Sequence, residues 1–494
     1  MQTFLIVLLV LLAVVLVAGA VLTVLALRRS AALGAAPKSR LAPTAVSEAQ
    51  MNHAAESLSH VLHFRTVTQP DGEEMNDEFR RFHRYLELRY PSVHQTLIRE
   101  ELPGGSLVYC WKAREPMAGP VLLCAHQDVV PAQAEQWSHD PFAGELQDGW
   151  VYGRGALDCK NVLIAIMESL ESLCSVGFAP SRDVWLAFGA DEETGGSRGA
   201  ASIAELLRQR GLRFDLVLDE GAAVRERYLG LSAPVALVGV GEKGMLNLKL
   251  TAKGTPGHAS APGKSTTLGN LAEAICRLEQ RSLPAKLHPT VTRYLQDTAV
   301  LQPKMDRVLI ANLPYTAPLL KWWMGREPHK NASVRTTFAP TMISGGTARN
   351  VLPQEASVIV NCRVVHGNTV SEVLSYVQEL VQDLNITVET LLSKEPSAVS
   401  TTDCDAYRTL CQTIRDTFGP VPVVPVELLV ATDSHHYESV SDHVYRFMPF
   451  VLDDKEHGRM HGVDERMSAE AMGRATVFYT QLLRTLSEGE AATL

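Results

Sequence analysis

Short apolar runs alternate with helix-period stretches between Ser106 and Leu218, and that alternation narrows the fold. Ser106-Leu107-Val108-Tyr109-Cys110-Trp111 and Val121-Leu122-Leu123-Cys124-Ala125 read as strands, and Val162 to Leu173 as a helix. Val184-Trp185-Leu186-Ala187-Phe188 reads as a buried strand, Gly199 to Arg210 as a helix, and Leu216-Val217-Leu218 as a further strand. Strands alternating with helices predict an α/β layer fold with a mostly parallel sheet flanked by helices.

The pattern then changes. Met245 to Thr251 alternates as a half-buried strand and Thr267 to Arg281 is helical; later, Ser357 to Val365 reads as a strand and Val370 to Leu384 as a helix. This succession predicts a smaller α+β unit, a lid or dimerisation domain at 245–365, inserted between catalytic-domain parts at 51–244 and 366–494. The stretch Thr290 to Thr336, with Trp322 and Trp323, is helical in parts and takes no firm assignment. The last expected element is a helix from Ala469 to Leu486.

Phe4 to Leu27 is apolar apart from Thr23. As an N-terminal hydrophobic helix it reaches roughly 36 Å, at about 1.5 Å per residue, enough to cross a hydrocarbon core with some tilt. It is longer than the apolar run of about 7–15 residues usual in a signal peptide. No Lys or Arg precedes it. Residues 1–29 therefore read as a single-pass membrane anchor, with cleavage near Ala18-Gly19-Ala20 and secretion as the alternative, and 30–50 as a tether. Arg28, Arg29, Lys38 and Arg40 place the body in the cytosol by the positive-inside rule, whereas the sequons at Asn331 and Asn385 point the other way. The eight scattered Cys do not decide the compartment. A formal net charge of -9 gives no electrostatic footprint for nucleic acid.

Five dispersed segments carry metal-ligating residue types: Ala125-His126-Gln127-Asp128, Leu157-Asp158-Cys159-Lys160, Asp191-Glu192-Glu193-Thr194, Leu218-Asp219-Glu220-Gly221 and Met460-His461-Gly462-Val463-Asp464. Zinc takes imidazole and carboxylate ligands, and a catalytic site keeps a position open for water. His126, Glu192, Glu193 and Asp219 follow or end predicted strands, where an open α/β sheet binds its ligands. Asp128, two residues beyond His126, suits the carboxylate that holds the second nitrogen of a ligating imidazole. Asp158 has two oxygens with which to bridge two cations. Of Glu192 and Glu193, one can bind metal while the other takes a proton; spacing alone does not say which.

With these residues stand Gly153-Arg154-Gly155-Ala156-Leu157-Asp158, Val240-Gly241-Glu242-Lys243-Gly244, Gly257-His258-Ala259-Ser260-Ala261-Pro262, Asn350-Val351-Leu352-Pro353 and His461-Gly462-Val463-Asp464-Glu465. From about Val61 onward the chain resembles the dizinc metallopeptidases that include carboxypeptidase G, aminoacylase and yeast Gly-X carboxypeptidase. Within them it is most similar to the N-fatty-acyl-amino-acid synthase/hydrolase group. The resemblance implies a zinc-exopeptidase-like fold and two zinc ions, one held by His126 and Asp219, the other by Glu193 and His461, with Asp158 on both. It implies Glu192 as general base and then acid, His258 as the donor to the tetrahedral oxyanion, and Asn350 and Arg363 near the substrate. It also implies a small-molecule substrate, an N-acyl amino acid or a peptide with a free carboxylate. The inserted unit pairs two copies in some relatives, so a homodimer is one expectation.

Two positions depart from the family pattern. Cys159 stands where Asp is common, and His435 where an Arg would suit a substrate carboxylate. The expected activity is zinc-dependent amide hydrolysis of N-acyl, in particular N-fatty-acyl, amino acids, with condensation as its reverse. The alternatives are a carboxypeptidase for dipeptide-like substrates and a catalytically silent binding protein on the same scaffold.

Overall fold

The computed structural model describes residue 21 and residues 23–33, 41–68 and 77–488. The expected anchor at 4–27 lies largely outside the described residues. Among those described, no helix is long and apolar enough to cross a membrane. The chain divides into two compact units.

The larger unit comprises Arg40–Tyr228, Pro234–Met245 and Lys394–Leu494. Its first helix, Glu48–Leu62, is capped by Ser47: the Gln50 N–H donates to Ser47 Oγ, and the Gln50 side chain accepts from the Ser47 N–H. The sheet has eight strands, in the order Ile98–Glu101, Leu107–Trp111, Val184–Gly189, Val121–His126, Leu216–Arg225, Val444–Leu452, Val235–Glu242 and Val423–Leu428. The pairings of Val121–His126 with both neighbours, of Val444–Leu452 with Leu216–Arg225 and of Val423–Leu428 with Val235–Glu242 are parallel. Antiparallel pairs occur at the Ile98–Glu101 edge and around Val235–Glu242, so the sheet is mixed and mostly parallel.

Val121–Ala125 and Val184–Gly189 are apolar at every position because both sheet faces are covered there. Leu123, Ala125, Leu186 and Phe188 pack in one cluster with Leu163 and Met167 of the helix Lys160–Ser175 and Phe478 of Ala469–Glu488. Leu122, Cys124, Trp185 and Ala187 face the other way, onto Ile203 and Leu207 of Ala200–Gln209. The polar residues His126 and Glu192 appear only where such strands run out, at or just beyond their carboxyl ends.

The smaller unit is built mainly from Leu246–Ser393, together with Leu229–Ala233 and the described part of the N-terminal segment. Its four-stranded sheet has the order Thr337–Gly345, Glu355–Val364, Gly244–Lys253 and Ile386–Lys394. Leu246, Leu248 and Leu250 alternate onto one face with Val358, Val360 and Val364, and Leu271, Leu278, Val373 and Val377 of two helices cover it. The unit runs past the boundary at 365 expected from the sequence, because the helix Val370–Val381 and the strand Ile386–Lys394 complete its sheet and core. The unassigned stretch resolves into four helices, Pro289–Thr298, Lys304–Ala311, Leu313–Met324 and Pro328–Val334. Three of them carry Pro in the first turn, where its missing N–H costs nothing.

Candidate metal centre

Parallel pairing brings the chemistry to one edge of the larger unit. His126 ends its strand and lies in register with Gly189, the last residue of Val184–Gly189; Glu192 and Glu193 follow in a short turn. Asp219 sits on the next strand, where Leu218 pairs with Leu123. Asp158 immediately precedes the N-terminal end of Lys160–Ser175. His461 sits in the turn after Asp454–His457, at a φ of +59°.

Asp158 faces two imidazoles with two different oxygens. Its Oδ1 lies 2.8 Å from His126 Nε2, and its Oδ2 lies 3.1 Å from His461 Nε2. His461 Nε2 also lies 3.2 Å from Glu193 Oε1, and Glu192 Oε2 is 3.9 Å from His126 Nε2. Three trios have ligand atoms within 4.8 Å of one another: His126 with Asp158 and Cys159, His126 with Glu192 and Glu193, and Asp158 with Glu193 and His461. Asp219 stands outside these trios. Its Oδ2 accepts from Ser434 Oγ at 2.7 Å, while its Oδ1, like Oδ1 of Asp433, is buried with no hydrogen-bond donor among the described residues.

This donor set fits divalent metal. Asp158, Glu192, Glu193, Asp219, Glu220 and Asp433 gather around two imidazoles, and buried carboxylates without donors are costly unless a cation neutralises them. Burial, with the neighbouring charges of Asp433, Asp158 and Glu193, drives the Glu192 carboxyl well above its ordinary range. Burial and Asp219 do the same to Glu220 and Asp433. Hydrogen bonds to Asp158 and Glu193 hold His461 up at about 10. Imidazole and carboxylate donors are among those that catalytic zinc sites use.

Buried side chains hold the candidate ligands in place. Glu465 Oε1 accepts the N–H groups of Gly155 at 3.1 Å and Leu157 at 2.6 Å, and its other oxygen takes Arg154 Nη1. Arg154 Nη2 donates to the carbonyls of His461 and Gly462, both at 3.2 Å, so one ion pair ties the Asp158 loop to the His461 turn. The Asp128 carboxylate accepts the N–H groups of Glu192 and Glu193 at 3.1 Å each. The second nitrogen of His126 lies 3.0 Å from the Asp128 carbonyl and 3.4 Å from its carboxylate. Asp128 thus shapes the glutamate turn and orients the imidazole mainly through its backbone.

Cys159 is fully buried, and its Sγ accepts the His126 N–H at 3.2 Å. Burial pushes its thiol up to about 12, so it is a neutral acceptor that steadies the His126 backbone. His435 is lowered to about 4, first by burial and then by the Lys394 charge. Its Nδ1 lies 2.8 Å from the Thr432 carbonyl, which can only accept, so the proton of the neutral ring is on Nδ1. In that state Nε2 presents a lone pair rather than a donor. Lys394, which sequence reasoning did not single out, lies within electrostatic reach of His435 and 3.6 Å from Glu242 Oε2. The supporting roles of Glu465 and Arg154, which stand in the motifs quoted above, and of Asp433 and Lys394 escaped because their partners are remote in sequence.

On the smaller unit, His258 and Asn350 come together. Gly257–His258 pairs with Val351–Leu352, placing His258 opposite Val351, and the Ala259 N–H donates to the Asn350 carbonyl at 3.0 Å. His258 is exposed, with Nδ1 2.8 Å from Ser260 Oγ. Arg363 lies on the sheet face opposite the core, its Nε donating to Asn361 Oδ1 at 3.2 Å.

Comparison with known proteins agrees with this geometry. The profile of Peptidase family M20/M25/M40 matches residues 122–485. An N-fatty-acyl-amino acid synthase/hydrolase of Xenopus tropicalis is 38% identical over 448 residues, covering 89% of this chain and 87% of that protein. A probable carboxypeptidase S-like protein of Dictyostelium discoideum is 34% identical over 439 residues, covering 87% of this chain and 84% of that one. Among solved structures, an M20 family metallo-carboxypeptidase from Sulfolobus solfataricus superposes with a TM-score of 0.66 at 17% identity, over 88% of this chain and 99% of its own. Human carnosine dipeptidase 1 gives 0.62 at 15% identity, over 90% and 100%. Members of the family are dizinc metallopeptidases, in keeping with the carboxylate and imidazole cluster. The chain therefore belongs to peptidase family M20/M25/M40 and is a metallohydrolase.

Proposed function

We propose that this protein is a zinc-dependent amidohydrolase that cleaves N-acyl amino acids, N-fatty-acyl ones in particular, with condensation as the reverse at the same site. One observation carries the reading: Asp158 offers an oxygen to each of two imidazoles, with Glu192 alongside. The choice of acyl substrate rests on the 38% identity to a relative named for that activity. The carboxypeptidase alternative rests on the 34% identity to the Dictyostelium protein.

In this reading His126 and Asp219 would hold one zinc, Glu193 and His461 the other, and Asp158 would serve both. When bound, the pair would polarise the amide carbonyl and lower the pKa of water. Glu192, with its Oε2 beside the cluster and its carboxylate outside the Asp158–Glu193–His461 trio, takes the proton of the attacking water and passes it to the leaving amine nitrogen. Glu465, Arg154 and Asp128 keep these groups in register. His258 retains the oxyanion-donor role that the family resemblance implies. Lys394, rather than His435, supplies the cation for the substrate carboxylate, since the neutral ring of His435 presents only a lone pair.

The test compares kcat/KM for N-oleoyl-phenylalanine, N-acetyl-phenylalanine and an unmodified dipeptide. The oleoyl substrate should lead; a leading dipeptide would favour the carboxypeptidase reading. A charge-assisted hydrogen bond contributes about 1.5–3 kcal/mol, so Lys394→Met should raise KM for the oleoyl substrate roughly 10- to 100-fold with little change in kcat. An unchanged KM removes Lys394 from carboxylate binding.

A further inference from the structure

The helix Leu313–Met324 exposes a row of large apolar side chains. Tyr315 is 74% exposed, Leu319 51%, Trp322 54% and Trp323 40%, and Met305 on the preceding helix Lys304–Ala311 is 70% exposed. Spacings of four, seven and eight residues from Tyr315 put Leu319, Trp322 and Trp323 on one helical face. Single exposed apolar residues are ordinary, whereas a contiguous aromatic row marks an interaction surface.

A second observation says what covers it. Residues 23–32 form a helix that docks on the same pair of helices. Asn312 Nδ2 donates to the Ala26 carbonyl at 3.2 Å, and Arg307 donates to the Ser30 carbonyl through Nε at 3.2 Å and Nη2 at 3.0 Å. The Arg29 guanidinium lies 5.3 Å from the centre of the Tyr315 ring. This docked helix also exposes Val24, Leu25 and Leu27, and it is the end of the apolar run from Phe4 to Leu27. Cations rim the row: Arg28 and Arg29 follow the run, Lys321 lies on the Trp helix, and the Arg326 guanidinium stacks 4.2 Å from the Trp322 ring. Trp and Tyr with Lys and Arg beside an apolar run is the composition of a membrane–water boundary, where aromatic rings sit at headgroup depth and cations meet anionic lipid.

We propose that this face of the smaller unit, with Tyr315, Leu319, Trp322 and Trp323 at its centre, rests on a phospholipid bilayer carrying anionic headgroups. The apolar N-terminal run tethers it there. The docking does not depend on the substrate proposed above. If that substrate is right, the bilayer is also where fatty-acyl amino acids would gather.

The experiment uses the full chain in vesicles of phosphatidylcholine and phosphatidylserine, with and without chains brominated near the headgroup end, and reads tryptophan quenching. Residues 1–33 contain no Trp, so the tether contributes no signal. Bromolipid should quench the wild type, and a Trp322→Phe/Trp323→Phe double variant, with unchanged circular dichroism and hydrolysis, should lose that quenching. Quenching that persists undiminished in the double variant overturns the proposal. So does its absence in a wild type shown to float with the vesicles, including the case in which a second copy covers the face and crosslinks through it.

Discussion

Glu192→Gln should lower kcat about a thousandfold, the middle of the range for removing a general acid–base group, while zinc content stays at the wild-type value. Glutamine keeps the size of the side chain and removes only its capacity to carry a proton. Glu192 Oε2 lies 3.9 Å from His126 Nε2, and the Asp158–Glu193–His461 trio forms without it, so the metal-binding groups should persist. The backbone would persist too, because the Asp128 carboxylate fixes this turn through the Glu192 and Glu193 N–H groups rather than through their side chains. Steady-state kinetics and elemental analysis of the same preparation check both halves. Turnover retained at the wild-type rate would remove Glu192 as the base. Lost zinc would recast it as a ligand.

Asp158→Ala should have the other large effect, and of a different kind. One side chain answers both His126 and His461, at 2.8 Å and 3.1 Å, so its removal should deplete both metal positions together and reduce hydrolysis to background. The fold should survive, since the loop is anchored by Glu465 to the N–H groups of Gly155 and Leu157 and not by the Asp158 carboxylate. Elemental analysis should show well under one zinc per chain, with circular dichroism unchanged. Loss of a single zinc would make Asp158 a ligand to one ion only.

The legible part of this molecule was the part in which a local pattern reports a global position. Val121–Ala125 and Val184–Gly189 are apolar throughout because both sheet faces are covered, and His126 and Glu192 break the pattern where these strands end. The strand Val444–Leu452 was harder to see because Arg446 interrupts it, yet Arg446 is fully buried, its Nε donating to Glu242 at 2.9 Å and its Nη1 to the Val444 carbonyl at 2.9 Å. A buried charge is tolerated only where its partner is supplied, and here the partner lies some two hundred residues away. The four helices between 289 and 334 are short and punctuated by proline, so no long period accumulates.

Three of the candidate metal ligands, His126, Glu193 and Asp219, were legible as residue types on or just after strands, and the family resemblance implied roles for all five. Their supports were not. Glu465 serves the Asp158 loop from 307 residues away, and Asp433, packed against Gly189 and Gly196, adds a carboxyl to the cluster with no local signal. Cys159 and His435, open questions in the sequence, are shaped by their surroundings: burial pushes the thiol up to about 12 and lowers the ring to about 4, with its Nδ1 on the Thr432 carbonyl.

Zinc stoichiometry read beside activity decides whether this cluster is a two-metal hydrolytic centre. Purified active protein should carry two zinc per chain, lose hydrolysis of N-oleoyl-phenylalanine when chelation removes them, and regain it on adding zinc back. Undiminished hydrolysis by protein verified to be metal-free would contradict the assignment.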